Sequence, residues 1–128
     1  MPLTENSTAV GLARAHVKTW SDQNWDAARA ALAADVHVIV TSTDPNLPVT
    51  DTTGPDDYMV GLEYWATKIT PGSVKEVNAI GDDKYALLTI TVEVDFGFGK
   101  VTSPGARLYR FDDSNKIAAE QVIFFIGS

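Results

Sequence analysis

The sequence predicts an α+β domain in which three helices pack against a curved, mostly antiparallel sheet. Three observations carry this reading. Two short helical periodicities stand together at the start, a third amphipathic helix follows a single strand, and everything after Gly72 reads as strands broken by turn residues.

The first helix is expected over residues 5–21, where Leu12, Ala13, His16, Val17 and Trp20 share one face and Arg14 and Lys18 lie opposite. Thr4 or Asn6 can cap its first turn, and Ser21-Asp22-Gln23-Asn24 breaks it. Asn24 then caps a second, alanine-rich helix over residues 25–34 that turns Trp25, Ala28 and Leu32 inward. So short a turn implies an antiparallel helical hairpin. The β-branched run Val36-His37-Val38-Ile39-Val40 is a strand. Residues 41–54 carry Pro45, Pro48 and five threonines, an irregular stretch long enough to serve as a pocket rim.

Gly54-Pro55-Asp56-Asp57 opens the third helix, because proline suits its first position and acids suit its first turn. Tyr58, Met59, Leu62, Trp65, Ala66 and Ile69 form its apolar stripe, and Pro71-Gly72 ends it. Strands follow at 74–80, 84–96, 101–111 and 116–126. Gly81-Asp82-Asp83 and Asp112-Asp113-Ser114-Asn115 make tight turns, Gly97 and Gly99 make the remaining connection, and Pro104-Gly105 suggests a bulge. The order is α-α-β-α-β-β-β-β, and residues 1–128 form a single domain.

With 45% hydrophobic residues and no cysteine, the chain has to hold together by its core alone. The missing cysteines exclude a thiolate nucleophile and cysteine-ligated zinc. A net charge of −7 without any basic cluster repels phosphate backbones and anionic lipid, so no nucleic-acid partner and no membrane partner is expected. No apolar run approaches the ~20 residues that span a bilayer. Residues 1–8 lack the basic start and apolar stretch of a signal peptide, and a cytoplasmic setting is expected.

Three stretches resemble the nuclear-transport-factor-like superfamily in order and spacing. Ala31-Leu32-Ala33-Ala34-Asp35-Val36 is similar to the end of its second helix, and Gly54-Pro55-Asp56-Asp57-Tyr58 to the entry of its third. Residues 109–117, from Tyr109-Arg110-Phe111 through Asp112-Asp113-Ser114-Asn115 to Lys116-Ile117, resemble its last hairpin. The resemblance implies a cone-shaped, cystatin-like roll whose sheet wraps around the helices and leaves a mostly apolar pocket open at one end. It also implies a homodimer through the outer sheet face. Steroid isomerases, SnoaL-type polyketide cyclases, limonene-type epoxide hydrolases, scytalone-type dehydratases and non-catalytic binders share this fold, so the fold does not choose among them.

The superfamily's catalytic positions fall on a mixed set of residues here. The positions that hold the enolate and move the proton in ketosteroid isomerases fall on His16, Arg107 and Val40, so the base is missing. The Asp-Arg-Asp group of the epoxide hydrolases falls on Asp95, Glu93 and Val122. The SnoaL-type Asp falls on Val122, and the His two residues before it falls on Glu120. Each of the three mechanisms lacks at least one essential residue.

The polar candidates are His16, Glu93, Arg107 and Glu120. His16, on an apolar helix face, is either an acid/base or oxyanion donor to substrate, or a core histidine bonded to a neighbour. Glu93 shares a strand face with Asp95, but Leu88, Ile90, Val92 and Val94 are all apolar. Either the even positions face the core and both acids are solvated, or the strand twists enough to turn Glu93 inward. Glu120 stands in a nearly all-apolar strand and needs a partner, for which Arg107 on the adjacent strand is suited. The two form a structural pair, or Glu120 moves a proton while Arg107 stabilises an oxyanion. Trp20, Tyr58, Trp65, Tyr109 and Phe124, with Leu62 and Val122, are candidates to line the pocket, and as a set they suit a flat or alicyclic apolar ligand. His37 alternates away from Val36, Val38 and Val40 and belongs on the outer face. No spacing suggests a metal site or a phosphate loop, and no cofactor is expected.

Two functions remain. One is a cofactor-independent enzyme moving a proton on an apolar small molecule of polyketide, steroid or terpene type, as an isomerase, cyclase or dehydratase. The other is a non-catalytic binder of such a ligand, or a dimerisation module.

Overall fold

A computed structural model describes residues 3–43, 49–95, 97 and 99–125. The first helix, α1 (Thr8–Ser21), starts where the Ser7 hydroxyl accepts the Val10 amide at 3.2 Å. Ser7 is thus the cap rather than Thr4 or Asn6, and the helix starts later than residue 5. The residues before it are drawn elsewhere: the Thr4 amide donates to the Gly81 carbonyl at 2.8 Å.

The second helix, α2 (Trp25–Ala30), has the expected cap, with the Asn24 side chain accepting the Ala27 amide at 3.3 Å. It is shorter than residues 25–34. The Ala31 carbonyl accepts the Ile117 amide at 2.8 Å, and Leu32 registers with Ile117, so Leu32 opens a strand, β1 (Leu32–Ser42). Sheet pairing outweighs the helix propensity of the alanines, which is only tenths of a kcal/mol per residue.

A strand that the sequence does not announce, β2 (Thr50–Thr53), lies in the stretch expected to be irregular and pairs antiparallel with β1. Residues 44–48, with Pro45 and Pro48, lie outside the described residues. Gly54 then takes a φ of 101°, which favours glycine, and Pro55 opens α3 (Pro55–Ala66). The remaining strands are β3 (Lys75–Gly81), β4 (Tyr85–Asp95), β5 (Lys100–Phe111) and β6 (Ile117–Phe124).

Among the described residues the sheet has six strands in the order β2-β1-β6-β5-β4-β3. Only the β1–β6 pair is parallel, so the sheet is mixed but mostly antiparallel, curved and not closed into a barrel. Three helices and this sheet make the cone-shaped α+β roll. The expected bulge at Pro104-Gly105 is absent, since β4 and β5 register residue for residue from Tyr85 opposite Arg110 to Asp95 opposite Lys100. Gly105 instead permits a close approach, because a Cβ there would lie 3.1 Å from the Ile123 carbonyl oxygen.

Ala86, Leu88, Ile90, Val92 and Val94 all point inward from β4 and are buried against α1 and the rest of the core. This strict alternation resolves the parity of that strand: Glu93 and Asp95 face out. None of the described helices is long and apolar enough to cross a membrane.

Candidate functional site

The inner face of the sheet is built in rows of cross-strand neighbours. Strand register places Thr52, Val38, Glu120 and Tyr109 side by side across β2, β1, β6 and β5. The next row is Thr50, Val40, Val122 and Arg107. Residues in register share a face of the sheet. Helix α3 lies over the β2–β1–β6 end of these rows, and between them opens a cavity of about 540 Å³. Its walls are mainly apolar: Val38, Val40, Val122 and Phe124 from the sheet, and Leu62 and Trp65 from the helix.

Three polar side chains meet on this wall. Arg107 Nη1 donates to Glu120 Oε2 at 2.7 Å, and the Tyr58 hydroxyl donates to Glu120 Oε1. All three residues are buried and all three line the cavity. Glu120 therefore has a partner on each oxygen. Burial opposes the charge on Arg107, but the Glu120 carboxylate, with lesser help from Tyr109 and Tyr58, outweighs this and holds the guanidinium pKa above its ordinary value. Burial first, and then the negative charge of Glu120, raises the Tyr58 pKa well above the usual tyrosine range. The resulting site holds a fixed cation, a carboxylate and a protonated phenol on buried side chains, where hydrogen bonds to charge are strong.

A second layer stands behind this one, away from the cavity. The Trp20 ring lies under the Arg107 guanidinium with 4.6 Å between its centroid and Cζ, a cation–π contact that covers the buried charge. Tyr109 is fully buried, and its hydroxyl and His16 Nδ1 form a 3.4 Å hydrogen bond. Burial, and then the charge of Glu120, raises the Tyr109 pKa. His16 packs edge-on against both Tyr58 and Tyr109, at 5.9 Å from each ring. Burial pushes its pKa down to about 4, against a smaller upward pull from Glu120. At neutral pH His16 is therefore an uncharged ring, set between the Tyr109 hydroxyl and the Ala28 backbone.

The sequence candidates thus separate into three groups. Tyr58, Leu62, Trp65, Arg107, Glu120, Val122 and Phe124 line the cavity. His16, Trp20 and Tyr109 support it from behind. Glu93 belongs to neither group: it lies on the outer face, with Lys100 Nζ 3.7 Å from its carboxylate. The alternating apolar side chains of β4 exclude it from the interior, and this departs from its inclusion among the catalytic candidates. His37 is exposed on the outer face and contacts Asp51 at 2.5 Å.

Sequence reasoning did not find Thr50 and Thr52, which also line the cavity, nor Asp57 on its rim. The threonine-rich composition of residues 41–54 was the available signal. What it could not show is that four of those residues pair with β1 and turn alternate side chains inward. Among the described residues no group of three His, Asp or Glu is placed to hold a metal ion.

The sequence matches the SnoaL-like domain family over residues 13–120. No curated protein matches it in sequence. Solved structures share the fold at low identity. A protein from Kribbella flavida is 20% identical with a TM-score of 0.77, over 93% of this chain and 88% of that one. An epoxide hydrolase of the limonene type from Mycobacterium tuberculosis is 18% identical with a TM-score of 0.69, over 91% of this chain and 82% of that one. A protein with a ketosteroid isomerase-like fold from Catenulispora acidiphila is 16% identical with a TM-score of 0.73, over 91% and 87%.

Proposed function

This chain belongs to the SnoaL-like domain family, and we propose that it acts on an apolar small molecule in the α3 cavity by cofactor-independent proton transfer, as an isomerase, cyclase or dehydratase does. The observation that carries this reading is the meeting of Tyr58, Arg107 and Glu120 on one wall of a mostly apolar cavity. Stability does not require such a group, because well-packed apolar residues commonly replace a buried ion pair without loss.

Glu120 is the proton-transfer group. It takes a proton from carbon next to a ligand carbonyl, the C–H electron pair moves to the carbonyl oxygen as an enolate, and the same carboxyl returns the proton at another position. Arg107 gives one N–H to Glu120 and has others for the developing oxyanion, and the Tyr58 hydroxyl can turn to the same oxygen. His16 positions Tyr58 and Tyr109 rather than touching the ligand. The roles of acid, base and oxyanion donor expected of it move to the three residues that reach the cavity.

A second reading, a non-catalytic binder, is favoured by one observation: both Glu120 oxygens already have partners. A thermal-shift screen against apolar ketones, epoxides, lactones and aromatic polyketides, followed by turnover of each hit, separates the two. Turnover that falls at least tenfold in Tyr58→Phe and Glu120→Gln, with ligand stabilisation kept, supports the enzyme. Stabilisation without turnover in the wild-type protein leaves the binder. A well-folded protein that no compound stabilises overturns both.

We also propose a homodimer through the outer sheet face. Ile80, Leu87 and Leu108 are cross-strand neighbours there, and each remains about two-fifths exposed, an apolar row that a second copy would cover.

A further inference from the structure

The cavity has a second polar element, at the other end from Arg107 and Glu120. Thr52 sits two strands away from Glu120 in the same row, with Val38 between them. Thr50 lies beyond Val40 in the neighbouring row. Both threonines line the cavity, Thr52 half-buried and Thr50 exposed at the rim. Two strand spacings separate Thr52 from Glu120 by roughly 10 Å.

The hydroxyls in this wall are not equivalent. Thr41 also lines the cavity, but its hydroxyl already donates to the Val122 carbonyl at 3.3 Å. The Thr52 hydroxyl has no such side-chain bond among the described residues, and Thr52 lines the space a ligand would fill. Valine would satisfy an edge strand equally well. A hydroxyl that an apolar ligand covers loses its water without replacement, whereas a ligand oxygen at that point restores the bond.

We propose that Thr52, with Thr50 outside it, is a specificity determinant that reads a second oxygen on the ligand. The pocket then selects an apolar molecule oxygenated at both ends, one oxygen at Tyr58, Arg107 and Glu120 and the other roughly 10 Å away at Thr52. Val38 and Val40 face the apolar body between them. The inference rests on the ligand-binding reading above and adds the chemical class of the ligand to it.

Two rigid probes test this by titration calorimetry: 4,4'-dihydroxybiphenyl, whose oxygens are held about one such span apart, and 4-hydroxybiphenyl, which lacks the second oxygen. The diol is expected to bind about 3- to 10-fold more tightly, above the factor of two that its equivalent ends supply. In Thr52→Val that preference falls to the factor of two, because the diol loses its partner and 4-hydroxybiphenyl no longer covers an unbonded hydroxyl. A wild-type preference for the diol no larger than the factor of two overturns the inference and leaves the pocket reading standing. So does a preference that survives both Thr52→Val and the double variant Thr50→Val/Thr52→Val. Failure of both probes to bind counts against the pocket reading as well as this one.

Discussion

Arg107 Nη1 and Glu120 Oε2 lie 2.7 Å apart, with both side chains withdrawn from solvent and the Trp20 ring closing the far side of the guanidinium. Removing one partner leaves the other as an uncompensated buried charge. Glu120→Leu is expected to cost about 3–5 kcal/mol in denaturant unfolding. The double variant Arg107→Met/Glu120→Leu should recover most of this, because both charges are gone and the volume is nearly kept. A double variant as unstable as the single one would show that the pair is not the source of the loss.

His16 should make the protein acid-sensitive. Its folded pKa of about 4 lies below the ordinary histidine value of 6.5, so between these two the unfolded chain binds the proton and the folded chain does not. Stability contributed by the neutral ring is complete above pH 6.5 and is lost as the pH falls toward 4. The shift corresponds to about 3 kcal/mol. Unfolding free energy measured across this window should fall less steeply in His16→Gln than in the wild-type protein. Identical slopes would contradict a buried neutral His16.

Gly81 stands where a strand end passes close to its neighbour. A Cβ at this position would lie 2.3 Å from the Tyr85 carbonyl oxygen and 3.0 Å from the Val10 side chain. Gly81→Ala is therefore expected to shift β3 or α1 and to destabilise the fold by about 1–3 kcal/mol. Gly61→Ala is the contrast, since a Cβ there meets nothing within 4 Å in the interior of α3, and it should stabilise the helix by up to about 1 kcal/mol. Thermal unfolding of the pair checks the contrast.

The outer-face proposal has a direct readout. Leu108 is 43% exposed between Leu87 and Gln121 on the face away from the cavity. Leu108→Glu should convert a dimer to a monomer in sedimentation velocity without changing ligand stabilisation. A wild-type protein that sediments as a monomer at high concentration would overturn the dimer.

Much of the fold was legible because its signals are local. The helical spacing of Ala13, His16 and Trp20, the proline at the start of α3 and the strict alternation along β4 each act within a few residues. Where the reading erred, a distant partner intervened. Residues 32–34 look helical until Ile117 pairs with Leu32, and β2 has no signal of its own because an edge strand of threonine and aspartate is defined by its neighbour. The parity of Glu93 was written in the apolar residues beside it, and that evidence pointed outward.

By itself the sequence determined the class of fold and most faces of its helices and strands, and it made Arg107 a suitable partner for Glu120, since a carboxylate in an apolar strand must find a cation or lose its charge. Only the tertiary structure decided which polar groups share a cavity. Tyr58 is 62 residues from Glu120 and His16 is 93 from Tyr109, and no local pattern encodes contacts that arise when a helix is laid over a sheet. It brought Tyr58 to the front, placed His16 behind, and set Thr52 opposite Glu120 in one row, because strand register fixes the face and spacing of every side chain at once.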